Sequence, residues 1–587
     1  MCGIFALLNY EQKHSFEFAK QQFEKGKARG PDNSVFQKVG RKLAFGFHRL
    51  AINGLNPESN QPLVKGDITL ICNGEIYNYK ELYALMRSVD KDSSTPVVPK
   101  TQSDCEVILW LYERYGIEQT LQMLDGVFAF VLLDQRHHLG EPTLFVARDP
   151  YGVRPLYMMQ NNAIIDSYSC YPSHNYSSNE STIGFSSELK TIAGFALETH
   201  QTKYAQFEPG TYSRYVFSDK VCSEWKPEQT NVVYHHTAFC NTFERDIGEN
   251  YNFSIMRGIQ KYLVRAVEKR CSTTDRPIAC LLSGGLDSSL IAALVNDYHR
   301  YNNLPTLETY SIGLAESTDL KYARLVANHL GTKHTEVILT EQEFCDAIPE
   351  VIQAIESYDT TTVRASIGNY LLGKYIAKHS EAKVIFNGDG ADELMGGYLY
   401  MRNAPDAIEF DCECRRLLKD IHTFDVLRSD KCISSHGLEP RTPFLDREWT
   451  QFYLSISPSI RRGDENRIEK HLVRHAFSKD QWNSDLLPEE VLMRKKEAFS
   501  DGVSGEERSL YQILQEYSAT KTSKYALRSY AKCSPKTVEQ SYYRSVFESF
   551  YPKMGEVIPY FWMPKYVDAT DASARTLATY GKGMQGV

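Results

Sequence analysis

Hydrophobic and polar positions follow two different rhythms along this chain. In the first part, apolar or aromatic runs of strand length fall at 43–50, 68–73, 126–133 and 143–147. Turn signals such as Gly30-Pro31-Asp32 and Asp149-Pro150-Tyr151-Gly152 separate them. Helical patterns interrupt the runs near 16–25 and 106–115. This predicts an α+β layered domain over residues 2–215, followed by a linker over 216–251. From about residue 252 the pattern becomes strand, helix, strand. Short apolar runs at 277–282, 307–313, 335–339 and 383–387 alternate with helical stretches at 289–298 and 320–330, and Gly331 is placed to cap the second helix. Such alternation predicts an α/β domain with a parallel sheet over 252–560, leaving a C-terminal tail over 561–587. Ligands of parallel sheets gather at the carboxyl ends of the strands, so the loops after 282 and 387 are the places to look for chemistry.

Composition narrows the class. At 587 residues the chain is too long for one hydrophobic core. Its 42% hydrophobic and 24% charged residues are ordinary for a globular protein. The net charge of -8 carries no basic stripe, so nucleic acid is not expected as a partner. No apolar run is long enough to span a bilayer, and the start, apolar from Ile4 to Leu8, lacks the positive region of a signal peptide. The 13 cysteines form neither a disulfide framework nor a zinc pattern. A cytoplasmic setting with reduced thiols is the expectation. Residues 160–182, dominated by Asn, Ser and Tyr, read as a surface loop.

Several residues carry possible chemistry in the first domain. Removal of Met1 would leave Cys2 with a free α-amino group, so one residue would hold both nucleophile and base. Asn73-Gly74 follows an apolar strand, where an amide side chain and a glycine N–H can form an oxyanion hole. Arg49 could grip a carboxylate with its planar fork, and Glu75 and Asp104 could receive an ammonium group. Singly, each also fits a structural role: a turn for Asn73-Gly74, a surface ion pair for Arg49.

Together the motifs Met1-Cys2-Gly3-Ile4, Arg29-Gly30-Pro31-Asp32, Phe47-His48-Arg49-Leu50-Ala51, Asn73-Gly74-Glu75-Ile76-Tyr77-Asn78 and Arg148-Asp149-Pro150-Tyr151-Gly152 resemble the class II, N-terminal-nucleophile glutamine amidotransferases. The resemblance implies a four-layer αββα fold. It implies that Cys2 attacks the glutamine amide and that Asn73 and Gly74 stabilise the oxyanion. Arg49, Leu50, Ala51, Ile52, Asn53, Glu75 and Asp104 would then bind glutamine.

In the second half, Ser283-Gly284-Gly285-Leu286-Asp287-Ser288 lies between a strand and a helix. Its amides and the helix N-terminus suit a phosphate, although the lysine of a Walker loop is absent. A carboxylate at Asp287 calls for a cation beside the phosphates, and magnesium fits. Asn387-Gly388-Asp389-Gly390-Ala391-Asp392-Glu393 follows a later strand and suits a metal–nucleotide site. A capping turn and a solvated acidic loop are the plainer alternatives.

These loops, with Asp359-Thr360-Thr361-Thr362-Val363-Arg364, Lys495-Lys496-Glu497 and Ala574-Arg575-Thr576-Leu577, resemble the glutamine-hydrolysing asparagine synthetases. That resemblance implies ATP as substrate, Mg2+ on Asp287 and Asp392, and nucleotide contacts from Leu281, Ser283, Gly284, Gly285, Asp287, Ser288, Ile312, Asn387 and Gly388. It assigns catalytic work to Asp389 and Lys496, aspartate and glutamine as further substrates, and a homodimer. Where the family has Ser-Gly-Glu-Gly-Ser-Asp-Glu, this chain has Asn387 and a shorter acid at Asp389, a departure that bears on rate. β-Lactam-forming synthetases share the architecture without needing a glutaminase, and the intact Cys2, Arg49 and Asn73-Gly74-Glu75 set argues against them.

Overall fold

A computed structural model describes residues 1–89, 97–136, 140–163, 181–196, 200–218, 223–237, 248–463, 467–482, 485–496, 502–505, 508–521 and 530–573. The chain forms two compact units, Met1–His236 and Thr237–Val587.

The first unit holds twelve strands among its described residues: β1 (Gly3–Leu8), β2 (Asn33–Lys38), β3 (Leu43–Arg49), β4 (Leu63–Lys65), β5 (Ile68–Ile76), β6 (Gly126–Asp134), β7 (Thr143–Arg148), β8 (Tyr157–Ala163), β9 (Ile183–Ser186), β10 (His200–Gln206), β11 (Thr211–Ser218) and β12 (Glu224–Val233). They build two six-stranded sheets, ordered β10-β8-β9-β1-β3-β2 and β12-β11-β7-β6-β5-β4, with antiparallel pairing throughout.

Side-chain alternation explains the layering. Ile4, Ala6 and Leu8 of β1 and Phe45 and Phe47 of β3 meet Ile71 of β5 and Val131 of β6 in one core between the sheets. The opposite face of β5 and β6 packs on the helices Tyr79–Val89 and Val107–Met123 through Leu70, Phe130, Leu82 and Ile108. On the outer face of the first sheet, Phe5 meets Phe23 of the helix Phe16–Glu24, the ring centroids 6.0 Å apart. Four layers, αββα, result, and each buried side chain of this size contributes about 1.5–3 kcal/mol.

Three expectations change. The boundary at residue 215 falls inside β11, and the expected linker contains the ten-residue strand β12, hydrogen-bonded to β11. Its Glu-Trp-Lys-Pro-Glu-Gln run reads as linker because this edge strand is exposed along most of its length, Trp225 being its one buried residue. Its buried Trp225 exchanges hydrogen bonds with the Asn9 side chain. The loop placed at 160–182 begins as β8, in which Asn161 is buried and donates to Phe195 O at 3.0 Å; its residues 164–180 lie outside the described set. The apolar start is itself β1, central in its sheet. The helix expected to end at 115 meets a break there, Gly116 at φ 75°, and resumes to Met123.

In the second unit, β13 (Ile278–Leu281), β14 (Glu308–Gly313), β15 (Lys333–Ile338), β16 (Val384–Phe386) and β17 (Glu439–Arg441) form one sheet in the order β15-β14-β13-β16-β17, all parallel. The helices Leu286–Tyr301 and Thr318–Leu330 make the crossovers, the second capped by Gly331 in the left-handed region at φ 69°. The chain lays β14 and β15 on one side of β13, then returns to lay β16 and β17 on the other. That reversal puts the topological switch point beyond the carboxyl ends of β13 and β16.

The helix Thr360–His379 is tied to sequence-distant elements. Asp359 caps it by accepting from Thr362 N at 2.9 Å and also accepts from Trp562 N at 2.8 Å. Burial pushes the Asp359 carboxyl up to about 6, against the amide donors that favour its charge. Arg364, buried in the same helix, pairs with Glu539 at 2.6 Å and Asp571 at 2.7 Å. Trp562 packs with Tyr400 and Phe410. The stretch read as a tail is therefore packed onto its own unit as far as residue 573. Among the described residues, no helix is long and apolar enough to cross a membrane.

Candidate active sites

In the first unit, β1 delivers Cys2, the turn after β3 delivers Arg49 to Asn53, and β5 delivers Asn73, Gly74 and Glu75. Cys2 is half-buried, and its thiol donates to Leu50 O at 3.5 Å. Arg29 Nε–H holds Cys2 O at 2.9 Å, and its Nη1 pairs with buried Glu188 at 2.8 Å. Asp32 fixes the turn by accepting from Ala51 N at 2.8 Å.

Asn73 is fully buried. Its Nδ2 donates to Ser187 Oγ at 3.4 Å, and the same Oγ accepts from Ile4 N at 3.1 Å, so one hydroxyl links β5 to the strand that follows Cys2. Asn73 Oδ1 is buried and finds no hydrogen-bond partner among the described residues, a polar atom left open beside the thiol strand. Gly74 pairs with Phe128 of β6, and a Cβ there would lie 2.6 Å from Val127 O.

The two acids converge. Asn53 Nδ2 donates to Glu75 Oε2 and, at 3.4 Å, to Asp104 Oδ1, while Asp104 Oδ2 accepts from Ile76 N at 2.6 Å. Both carboxylates are buried, so a cationic group placed against them meets little screening. Arg49 is also buried, and it donates to Asn60 Oδ1 at 2.7 Å, to Asn56 O at 3.0 Å and to Gly54 O. The sequence-derived set in this half is thus assembled around one turn and one strand.

In the second unit a cavity of about 180 Å³ opens at the switch point. Every residue expected to touch nucleotide or metal, or to do chemistry in this half, lines it, with one exception. Gly284, at φ 72°, instead presses the loop against Tyr322 and Ala323, where any Cβ would collide. The loop is stitched by Ser283 and Ser288, their hydroxyl oxygens 3.0 Å apart. Asn387 donates from Nδ2 to Ser429 Oγ at 2.6 Å, and Asp389 accepts from Arg428 at 3.0 Å.

The charges are arranged in a chain. Lys470 Nζ lies 2.6 Å from Asp287 Oδ2 and 2.5 Å from Asp392 Oδ1, and Lys496 Nζ lies 2.6 Å from Asp392 Oδ2. Burial alone would raise the Asp392 carboxyl, but Lys470 and Lys496 hold it well below the usual carboxylate range. Asp389 moves the other way: burial raises it further than Arg428 lowers it. Glu393 is driven strongly upward by burial and by the charges of Asp425 and Asp392.

A magnesium ion fits this donor set. Asp287 and Asp392 both reach Lys470 Nζ, and among the described residues Asp287 Oδ1 is buried without a hydrogen-bond partner. Among the described residues there is no cluster of three or more acidic, His or Cys ligands. Magnesium needs none, since it takes one or two carboxylates and completes its shell with phosphate and water.

Sequence reasoning missed three contributors. Ser187 is one of a plain Ser-Ser pair, with nothing local to mark it. Arg428 sits on a helix, Asp425–Ser434, that reads as amphipathic. Lys470 lies in Glu469-Lys470-His471, which looks like a solvated charged run although its side chain is only 1% exposed. Glu497 and the motif at 574–577 lie outside the described residues.

A double antiparallel sheet headed by a cysteine, joined in one chain to a parallel sheet with a Ser-Gly-Gly loop at its switch point, defines a two-unit amidotransferase architecture. Family models agree: a glutamine amidotransferase domain matches residues 1–219, and asparagine synthase matches 258–411 and 403–556. The glutamine-hydrolyzing asparagine synthetase of Gallus gallus is 40% identical over 608 residues, covering 100% of both chains. Those of Homo sapiens and Cricetulus griseus are 38% identical over 602 residues, with at least 99% of each chain covered. The chain belongs to the asparagine synthase family. Among solved structures, NMN synthetase from Francisella tularensis overlaps 52% of this chain and 95% of its own at a TM-score of 0.24 and 12% identity, too low to read a shared architecture from.

Proposed function

We propose that the protein makes L-asparagine from L-aspartate, ATP and L-glutamine, releasing L-glutamate, AMP and pyrophosphate. In the first unit, the Cys2 thiol gives its proton to its own α-amino group, freed by removal of Met1, and attacks the glutamine amide carbon. Asn73 Nδ2 and the Gly74 N–H face the resulting oxyanion. Arg49 holds the substrate carboxylate, Glu75 and Asp104 its ammonium, and Leu50 to Asn53 wall the site. The C–N bond breaks, ammonia leaves, and water hydrolyses the thioester to glutamate.

In the second unit, an aspartate side-chain oxygen attacks the α-phosphorus of ATP. Pyrophosphate departs and β-aspartyl-AMP forms. The amides and hydroxyls of 283–288 hold phosphates, and Leu281, Ile312, Asn387 and Gly388 meet the nucleoside. Asp389 takes part in forming the intermediate, and Lys496 offsets its negative charge. Asp287 and Asp392 would hold magnesium, which would supply positive charge to the phosphates. Ammonia then attacks the acyl carbon and displaces AMP.

The observation that supports this most is the bond of Cys2 to Leu50 in the 49–53 turn together with the link from buried Asn73 through Ser187 to Ile4, in the same chain as the charged cavity at the switch point. The test is to incubate the protein with aspartate, glutamine, ATP and magnesium and count asparagine, glutamate, AMP and pyrophosphate. Equal yields of all four are expected. Glutamate alone would remove the synthetase half of the reading. A cytoplasmic setting, supported by buried free thiols such as Cys271 and Cys280, and a homodimer, carried by the family resemblance, complete the proposal; sedimentation checks the latter.

A further inference from the structure

We infer that Lys470 is a resident counter-cation: it keeps the place between Asp287 and Asp392 and yields it only when nucleotide and divalent cation arrive together. The inference rests on the reading of those two acids as metal ligands.

Four features single out this lysine. Its ammonium contacts both carboxylates, at 2.6 and 2.5 Å, and so stands on the ground a bridging metal would need. It is 1% exposed, a costly place for an ammonium with no task. Its backbone is left-handed, φ 58° and ψ 27°, at the start of the helix His471–Ala476, a conformation that non-glycine residues hold only when the surroundings impose it. Finally, Gly397 leaves the corridor open: a Cβ there would collide with Lys470 Cε and Asp392 Oδ1.

The charge balance gives the consequence. Asp287 and Asp392 carry two formal negative charges, and Lys470 and Lys496 carry two positive ones. A bare divalent cation therefore meets two acids balanced by two ammonium groups, with three of the four carboxylate oxygens already facing a lysine. A triphosphate changes this, because its oxygens offer Lys470 a new anionic partner while they offer the metal further ligands. Entry of the metal is thereby coupled to entry of the nucleotide, and each raises the affinity for the other. The metal-free site is kept shut without leaving two carboxylates to repel each other.

The test uses Mn2+ as a spectroscopic probe, with free Mn2+ followed by electron paramagnetic resonance. Full-length wild type, Lys470→Met and Lys470→Arg are each titrated alone and with the β,γ-imido analogue of ATP. Wild type and Lys470→Arg should bind Mn2+ weakly alone and at least tenfold more tightly with the analogue. Lys470→Met should bind Mn2+ without nucleotide at least tenfold more tightly than wild type. If Lys470→Met gains nothing while wild type binds Mn2+ with the analogue, the inference is overturned and the metal-ligand reading stands. If no protein binds Mn2+ even with the analogue, the metal-ligand reading falls and takes the inference with it. Should Lys470→Met not fold, wild type alone decides: its unfolding temperature should rise with Mn2+ plus analogue and stay unchanged with Mn2+ alone. An equal rise with Mn2+ alone overturns the inference.

Discussion

The two candidate sites are held together by different forces. In the first unit the functional groups sit on the inner strands of two sheets, β1, β3 and β5, and are positioned by backbone ladders, by Ser187 and by Asn53. In the second unit they sit on loops beyond the strand ends, joined by Lys470, Lys496, Asp287 and Asp392. A site fixed by strands tolerates the loss of a charge but not a new atom in its ladder. A site fixed by ion pairs should show the opposite sensitivity, because removing one partner of a buried pair strands the other.

The largest break in that comparison comes from Cys2→Ala. Glutamine-driven asparagine synthesis should fall at least ~10³-fold with the nucleophile gone, while synthesis from ammonium salts persists. Parallel assays with the two nitrogen donors check this, and equal loss with both would refute the division of labour. Lys496→Met should do the converse. It leaves Asp392 with Lys470 alone and should lower synthesis from either donor by about 10²–10³-fold, the scale for one preorganised charge, with glutaminase activity intact.

A pair of glycines sharpens the contrast further. A Cβ at Gly74 meets Val127 O at 2.6 Å and Phe128 Cα at 2.8 Å, both backbone within a sheet. Gly74→Ala should cost about 1–3 kcal/mol of stability by overpacking, read as a denaturation midpoint. A Cβ at Gly388 meets Ser288 N at 2.8 Å and Asp287 Cβ at 2.9 Å, on a loop. Gly388→Ala should also cost about 1–3 kcal/mol by overpacking but, unlike Gly74→Ala, should raise the KM for ATP.

A last effect, spread over a range of pH, leaves both sites untouched. Asp359 has its folded pKa raised to about 6 by burial. The folded state therefore holds the proton more tightly than the unfolded chain. The resulting stabilisation is complete below the unfolded value near 3.8 and is lost as pH rises through about 6, on the order of 3 kcal/mol in all. Asp359→Asn should flatten that slope, so the difference in unfolding temperature between variant and wild type should change between pH 4 and 6 and be constant above 7.

How much of this was legible in sequence depends on what each residue's role requires locally. Parallel strands and their crossover helices announce themselves through apolar runs and caps, so four strands of the second sheet and its switch-point loops could be placed within a residue or two, whereas β17, the three residues Glu439–Arg441, carries no apolar run and was not foreseen. Cys2, Arg49 and Asn73-Gly74-Glu75 were legible because they sit in recognisable motifs. β12 was not, since an edge strand exposed along most of its length resembles a linker. Lys470 was not, because a buried lysine is written with the same letter as an exposed one. Its burial depends on Asp287, 183 residues earlier, and no local pattern reports a partner at that distance. Ser187 was hidden in the same way, linking Ile4 and Asn73 across 183 and 114 residues.

The Arg364 ion pairs set a timetable for synthesis of the chain itself. Glu539 lies 175 residues further along and Asp571 lies 207. At roughly 5–20 residues per second, an emerging polypeptide holds Arg364 for about 10–40 s before its last partner leaves the ribosome. The helix Thr360–His379 can form early, but it cannot bury that guanidinium without cost until then. The first unit, whose described contacts close by residue 236, can finish folding while the second is still waiting, so a nascent chain would own a complete glutaminase fold well before it owns a place to use the ammonia.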